Sequence, residues 1–291
     1  MESSITSHHL EQFDTRGFFI LEQAIPTGDL ALLRRLSDDA VAARMHGRRV
    51  GETEGRQLMD TGGGRYFVFG LEEEKPEIYR VLFADWVVSI IAAMTDQSSM
   101  FHTEFVVKDG GQSTADTRFG WHQDGGYNTA AEAGGAGVPA TPHISIWCAL
   151  DDMSASNGGL RVLPFERNPT DHPVVSTTPP RPNAQAQPIF KHRRVTPAGE
   201  NVNNLRGDIA GYFGDDSGDL IEIAAGGVVV FSALTLHGSG ANMTESPRRA
   251  LNIAYSQAAF VNEPVSEVPP REGIAFIDNG RLTERAARLR K

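Results

Sequence analysis

The chain has 291 residues, 40% hydrophobic and 22% charged, enough apolar material to bury a sizeable core. Its formal net charge of −10 argues against nucleic acid or an anionic membrane as the main partner, because both call for a basic surface. The single cysteine, Cys148, excludes an internal disulfide, and its apolar setting in ISIWCAL reads as packing rather than as a nucleophile. There is no signal-peptide core and no run long enough to span a membrane, so the expectation is a soluble, cytoplasmic protein.

His8 and His9 fall in a polar N-terminus, MESSITSHHLEQFD, that carries no ordering signal. RGFFILEQAI (16–25) reads as a strand rich in aromatic and branched residues. Pro26 and Thr27 then introduce GDLALLRRLSDDAVAARM, whose leucines and alanines recur at helical spacing. GETEGRQLMDTGGGR (51–65) is polar and glycine-rich, so a loop is expected; PEIYRVLFADWVVSIIAAMT (76–95) has the length of one buried helix. From Met100 the pattern changes to short strands: MFHTEFVVK (100–108), HISIWCALDD (143–152), GLRVLP (159–164), DLIEIAA (219–225), GGVVVFSA (226–233) and RRALNIAYSQAAF (248–260). Turn residues separate most of them, which predicts an antiparallel barrel or double-sheet jelly roll with helices packed outside.

The fold class is thus mainly β with flanking α-helices, in one domain over 1–291: helical support over about 1–99 and a β-core over about 100–260. Two insertions interrupt the core. TAAEAGGAGVPATP (129–142) is small and flexible in composition, and about 166–208 is a proline-rich, lid-like segment bearing KHRR at 191–194. The plain reading of KHRR is a solvated surface.

GWHQDGGYN (120–128) places His122 and Asp124 at i and i+2, on one face of an extended strand, so both can reach one ion. Far along the chain, an apolar strand ends in His237. Two imidazoles and one carboxylate suit non-haem ferrous iron and leave positions open for a cosubstrate and dioxygen. Spacing by itself does not decide the matter, since the chain has nine histidines and H-x-D is a common coincidence. On that ground alone, the polar turn residue is the favoured reading of His122. His102, Glu104 and Lys108 share a strand face by alternation and are candidate substrate contacts, although His102 also reads as part of a polar network. His143, His172 and His192 sit in loops or at a strand start and receive no metal role. Ser232 and Ser239 lack a G-x-S-x-G setting, and GGG at 62–64 lacks the lysine of a phosphate loop.

Larger pieces of the sequence resemble the phytanoyl-CoA dioxygenase family of iron(II)- and 2-oxoglutarate-dependent oxygenases. GFFILEQAIP resembles its first strand, WHQDGGY its H-Q-D element, and ISIWCALDDMSASNGGLRVLP its tryptophan strand and N-G turn. GGVVVFSALTLHGSGANMTESPRRALNIAY resembles its distal histidine and arginine element, and the pieces follow the family's order from about 16 to 260. The resemblance implies a double-stranded β-helix (jelly-roll) core that uses Fe(2+), 2-oxoglutarate and O2. Carried over by position, it implies that His122, Asp124 and His237 hold iron and that Arg248 grips the distal carboxylate of 2-oxoglutarate. A guanidinium fork suits that task. Gln123 and Trp147 match positions lining the cosubstrate pocket, with Trp147 reading equally as a core aromatic.

Two departures bear on the substrate. PFERN (164–168) stands where relatives commonly read P-G-S-H, and the glycine–alanine insertion lengthens the stretch after H-Q-D. Both speak against a fatty acyl-CoA. A carboxylate at 124, where halogenating enzymes of this chemistry have a small residue, points to hydroxylation or a related oxidation of a small metabolite, as in natural-product biosynthesis. Ring formation, desaturation or epimerisation with the same cofactors is the alternative, and a non-catalytic jelly-roll binding protein is a second. In SPRRALNIAY the paired arginines must face opposite ways, with Arg248, Ala250, Asn252 and Ala254 inside and Arg249 outside.

Overall fold

The computed structural model describes residues 5–45, 57–60, 64–111, 117–124, 143–195, 208–257 and 273–291. The glycine–alanine insertion, the second half of the 166–208 segment and the end of the last predicted strand lie outside the described residues, in whole or in part.

The first half of the chain builds helices α1 (Ser7–Arg16), α2 (Thr27–Met45), α3 (Leu71–Glu74), α4 (Tyr79–Leu82) and α5 (Asp85–Met94). The same half supplies strands β1 (Phe18–Leu21), β2 (Gln57–Asp60), β3 (Arg65–Phe69) and β4 (Gln97–Lys108). The core continues with β5 (Phe119–His122), β6 (His143–Ala149) and β7 (Leu160–Leu163). Two small ribbons follow, β8 (Val174–Thr178) with β9 (Gln187–Phe190) and β10 (Arg193–Val195) with β11 (Asp208–Ala210). The chain then runs through β12 (Asp219–Leu220), β13 (Val228–Ser232), β14 (Leu236–Ser239) and β15 (Arg248–Ser256). Strands β16 (Ile274–Asp278) and β17 (Arg281–Leu282) and helix α6 (Glu284–Leu289) complete it.

A large sheet runs β1-β13-β6-β15-β4-β16-β17, with β3 and β2 joined to the free part of β4, and a second sheet runs β12-β7-β14-β5. All pairings are antiparallel. β4 is 12 residues long, and its length lets β3 pair near one end and β16 near the other on a single edge. This is the jelly-roll arrangement that the turn spacing predicts.

Alternation decides which face each strand residue serves. Val228 and Val230 of β13 join Ile144, Ile146, Leu251 and Ile253 in a core beneath α2 and α5, while Val229 and Phe231 point between the sheets with Trp147 and Ala250. Strands covered on both sides carry continuous apolar runs, and this accounts for VVVF and ISIWCAL.

Several expectations need correction. The N-terminal part is more than helical support: β1 pairs with β13 and β3 with β4 inside the main sheet. Residues 57–60, expected in a loop, pair with β3. RYFVF escaped notice because both of its faces are buried, Tyr66 and Val68 outward and Phe67 inward, so it shows no alternation. The helix expected over 76–95 breaks at Phe83 and Ala84 without glycine or proline. Side chains from elsewhere satisfy carbonyls at that break: the Tyr255 hydroxyl donates to Leu82 O at 2.6 Å and Arg290 to Phe83 O at 3.2 Å. The N-terminus is also ordered from Thr6, which caps α1 reciprocally with His9. Finally, DLIEIAA shrinks to Asp219–Leu220 plus a bridge from Ile223 to Met153, and the sheet extends past 260 through β16.

Candidate active site

His122 ends β5 and lies directly opposite His237 of β14 in the smaller sheet, with ring centroids 4.2 Å apart. Asp124 follows two residues on and turns the same way. Its Oδ1 lies 3.7 Å from His122 Nε2 and 3.4 Å from His237 Nε2. One donor atom from each of these three residues lies within 4.8 Å of the other two.

The surroundings aim these atoms. His122 Nδ1 donates to Gly120 O at 2.8 Å and His237 Nδ1 to Thr235 O at 3.0 Å, which leaves both Nε2 lone pairs turned toward a common point. Ser145 Oγ donates to Asp124 Oδ2 at 3.0 Å, so the other carboxylate oxygen faces the histidines. Burial, helped by the charge of His237, pushes the His122 pKa down to about 3. Burial opposes ionisation of Asp124, yet the two histidines hold its carboxyl below the usual range; Asp124 in turn raises His237 against the effect of burial. A neutral imidazole and an ionised carboxylate are the forms that bind a metal.

The cluster lies on the wall of a cavity of about 280 Å³ between the two sheets. Arg248, at the start of β15, lines the same cavity at 2% exposure, and its guanidinium carbon sits 5.8 Å from the Trp147 ring centre. Burial lowers its pKa to about 10. Among the described residues Arg248 Nε has no hydrogen-bond partner, a costly condition for a buried cation. Arg249 faces the other way and is fully engaged, by Asp151 at 2.6 Å and by Asp38. The register read from the paired arginines therefore holds.

The structure separates the remaining candidates. Trp147, His102 and Glu104 line the cavity, with His102 Nε2 3.4 Å from Glu104 Oε2. Burial alone would lower the His102 pKa, but its contact with Glu104 raises it. Lys108, expected on the substrate face, does not line the cavity. It sits where β4 passes the end of β14, and there its ammonium donates to Ser239 Oγ at 2.7 Å and to Gly240 O.

Gln123 also departs from expectation. Alternation turns it away from the cavity, since both its neighbours in H-Q-D turn inward. Its amide donates to Pro188 O at 2.8 Å and Leu234 O at 2.6 Å and accepts from Phe190 N at 2.9 Å. It is a bracket between the strand of His122, the β9 strand and the turn before His237. His192 of KHRR is part of the same bracket: it is buried, and its Nε2 accepts from Gln123 N at 2.9 Å. Ile189 and Phe190 are fully buried too, so this described part of the lid-like insertion is packed scaffold.

Sequence reasoning missed several cavity residues. Phe67 and Phe69 belong to the unrecognised β3, and His143, set aside as a strand-start residue, lines the cavity against Phe101. Ser145 offered one signal, being the polar residue amid an apolar strand.

Two facing antiparallel sheets with this cluster between them define a double-stranded β-helix of the non-haem oxygenase type. The sequence profile of the phytanoyl-CoA dioxygenase (PhyH) family matches residues 71–250, well over half of the chain, and the protein belongs to that family. It is accordingly an iron- and 2-oxoglutarate-dependent oxygenase.

Solved structures agree on the fold. EvdO2 from Micromonospora carbonacea var. aurantiaca, complexed with 2-oxoglutarate, superposes with a TM-score of 0.59 at 20% identity, covering 94% of each chain. The epimerase SnoN, in complex with Fe3+, alpha ketoglutarate and nogalamycin RO, gives 0.57 at 17% identity over 92% of this chain and 94% of its own. EctD from S. alaskensis, with 2-oxoglutarate and 5-hydroxyectoine, gives 0.59 at 16% identity over 94% of this chain and 86% of its own. No curated protein matches the sequence.

Proposed function

We propose that His122, Asp124 and His237 hold the ferrous iron, that Arg248 binds the distal carboxylate of 2-oxoglutarate, and that the enzyme oxidises a C–H bond of a small metabolite. The observation that carries this reading is a buried arginine in the same cavity as the three-donor cluster, its Nε without a partner among the described residues. An interior guanidinium calls for an anion, and 2-oxoglutarate brings one. Bound iron and 2-oxoglutarate supply oxidative decarboxylation with dioxygen, which yields succinate, carbon dioxide and an oxidant able to take a hydrogen atom.

The protein's own groups do the rest. Gly120 O and Thr235 O keep the histidines in the metal-binding tautomer, and Ser145 steadies the carboxylate. The aromatic walls exclude water from the substrate carbon. Hydroxylation is the expected outcome. Ring formation, desaturation or epimerisation begins with the same hydrogen abstraction, and the likeness to the epimerase SnoN keeps these outcomes in view. The expected substrate is a small metabolite, as in natural-product biosynthesis, rather than a long acyl chain. Among the described residues no helix is long and apolar enough to cross a membrane. A lone, buried Cys148 fits a reducing cytoplasm.

The test is metal and cosubstrate dependence. Purified protein should bind one ferrous ion, and a chelator should stop succinate release until iron is restored. His122→Ala and His237→Ala should each lose iron binding. Full turnover by metal-free protein, or iron binding unchanged in both variants, defeats the assignment.

A further inference from the structure

Glu104 of β4 and Asn252 of β15 are direct partners across the main sheet, and both line the cavity. Asn252 is only 7% exposed, and its Nδ2 donates to Glu104 Oε1 at 3.3 Å. An ionised carboxylate has no hydrogen to give, so this contact fixes the amide with nitrogen toward Glu104. Asn252 Oδ1 is thereby directed elsewhere, and it is buried with no hydrogen-bond partner among the described residues. Orphan acceptors of this kind are rare in folded proteins and call for a specific explanation.

The cosubstrate does not provide one. The carboxylates and keto group of 2-oxoglutarate only accept hydrogen bonds, and Arg248 is the group suited to them. The wall beside the pair is aromatic. Phe69 lies opposite Glu104 in the β3–β4 register, Phe67 stacks on Phe69 with centroids 5.8 Å apart, and Phe119 meets Phe67 at 5.2 Å.

We infer that Glu104 and Asn252 form a specificity subsite for a hydrogen-bond donor, an amine or a hydroxyl, carried on a substrate with an apolar, ring-sized body. The inference rests on reading this cavity as the oxygenase site. The donor would fill the Asn252 Oδ1 lone pairs while the body packs on Phe67 and Phe69. A carboxylate or phosphate there would face the charge of Glu104 and the Asn252 oxygen with nothing to donate, so substrates anionic at this end are selected against.

The experiment is a calorimetric titration of iron- and 2-oxoglutarate-loaded protein, without oxygen, with benzylamine, benzyl alcohol and benzoate. The three probes share one body and differ only in the polar group. Benzylamine and benzyl alcohol should bind, and benzoate at least about tenfold more weakly, the range set by one buried charge-assisted hydrogen bond. Tighter binding of the amine than of the alcohol assigns the donor as a cation, and the reverse assigns a hydroxyl. Asn252→Leu should weaken both donors about tenfold, and Glu104→Gln should weaken the amine more than the alcohol. Asn252→Asp, which keeps an acceptor, should retain amine binding and serves if the leucine variant fails to fold.

Benzoate binding as tightly as the other two, no binding of any probe, or an unchanged order in both Asn252→Leu and Glu104→Gln overturns the inference. Iron and 2-oxoglutarate binding are titrated separately beforehand. Failure there refutes the proposed function instead, and the weakening of benzylamine and benzyl alcohol by Asn252→Leu on metal-free protein then tests the subsite by itself.

Discussion

Replacing Gln123 with methionine, close to it in volume, removes the bracket while leaving the packing nearly filled. The change deletes three buried hydrogen bonds, to Pro188 O, Leu234 O and Phe190 N. Each backbone group that loses its bond to Gln123 costs up to about 1–3 kcal/mol, so the loss is on the order of 3–6 kcal/mol after some relaxation. That is a large share of the roughly 5–15 kcal/mol that holds a domain of ordinary stability together. Urea denaturation of the metal-free protein should show it as a much lower midpoint with an unchanged slope. Iron should bind more weakly as well, because Leu234 stands just before the Thr235–His237 stretch and Gln123 lies between His122 and Asp124. Affinity for 2-oxoglutarate at saturating iron should stay within about twofold. A change in stability below about 1 kcal/mol, together with a clear rise in the 2-oxoglutarate requirement, would refute the reasoning and return Gln123 to the cosubstrate pocket.

Arg248→Leu should raise the 2-oxoglutarate requirement strongly and Arg248→Lys less, while Arg249→Leu, which breaks the contacts with Asp151 and Asp38, should mainly lower the melting temperature; the opposite pattern in titrations and melts would put the strand register off by one. Asp124→Gly should abolish hydroxylation measured by coupled succinate release, and normal turnover would show that the carboxylate is no ligand. Gly17→Ala should destabilise severely. Gly17 has φ +86° and an added Cβ would lie 2.5 Å from Thr235 Oγ1, so a melting temperature like that of the parent would contradict the packing seen there. Ser145→Ala frees Asp124 Oδ2 and should weaken iron binding about tenfold or more with little change in fold by circular dichroism; unchanged iron affinity would leave Ser145 without the supporting role given it here.

The sequence by itself determined the alternation that sends Arg248 and Asn252 inward and Leu251 and Ile253 outward, because strand period two is a local property of the backbone. It determined the pairing of His122 with Asp124 on one face for the same reason. Motif order was enough to name the family and, through it, to single out His237. What no local pattern held was the destiny of groups whose partners come from distant chain. Gln123 reads as a pocket residue until β9 and Leu234 are seen to take all of its hydrogen bonds. Lys108 alternates with His102 and Glu104, yet the neighbouring end of β14 captures its ammonium. β3 is silent in the sequence because burial on both faces erases alternation, and the break at Phe83 is made by Tyr255 and Arg290 from the other end of the chain. Polar groups and helix ends are settled by whichever partner reaches them in three dimensions, and only the tertiary structure decides which partner that is.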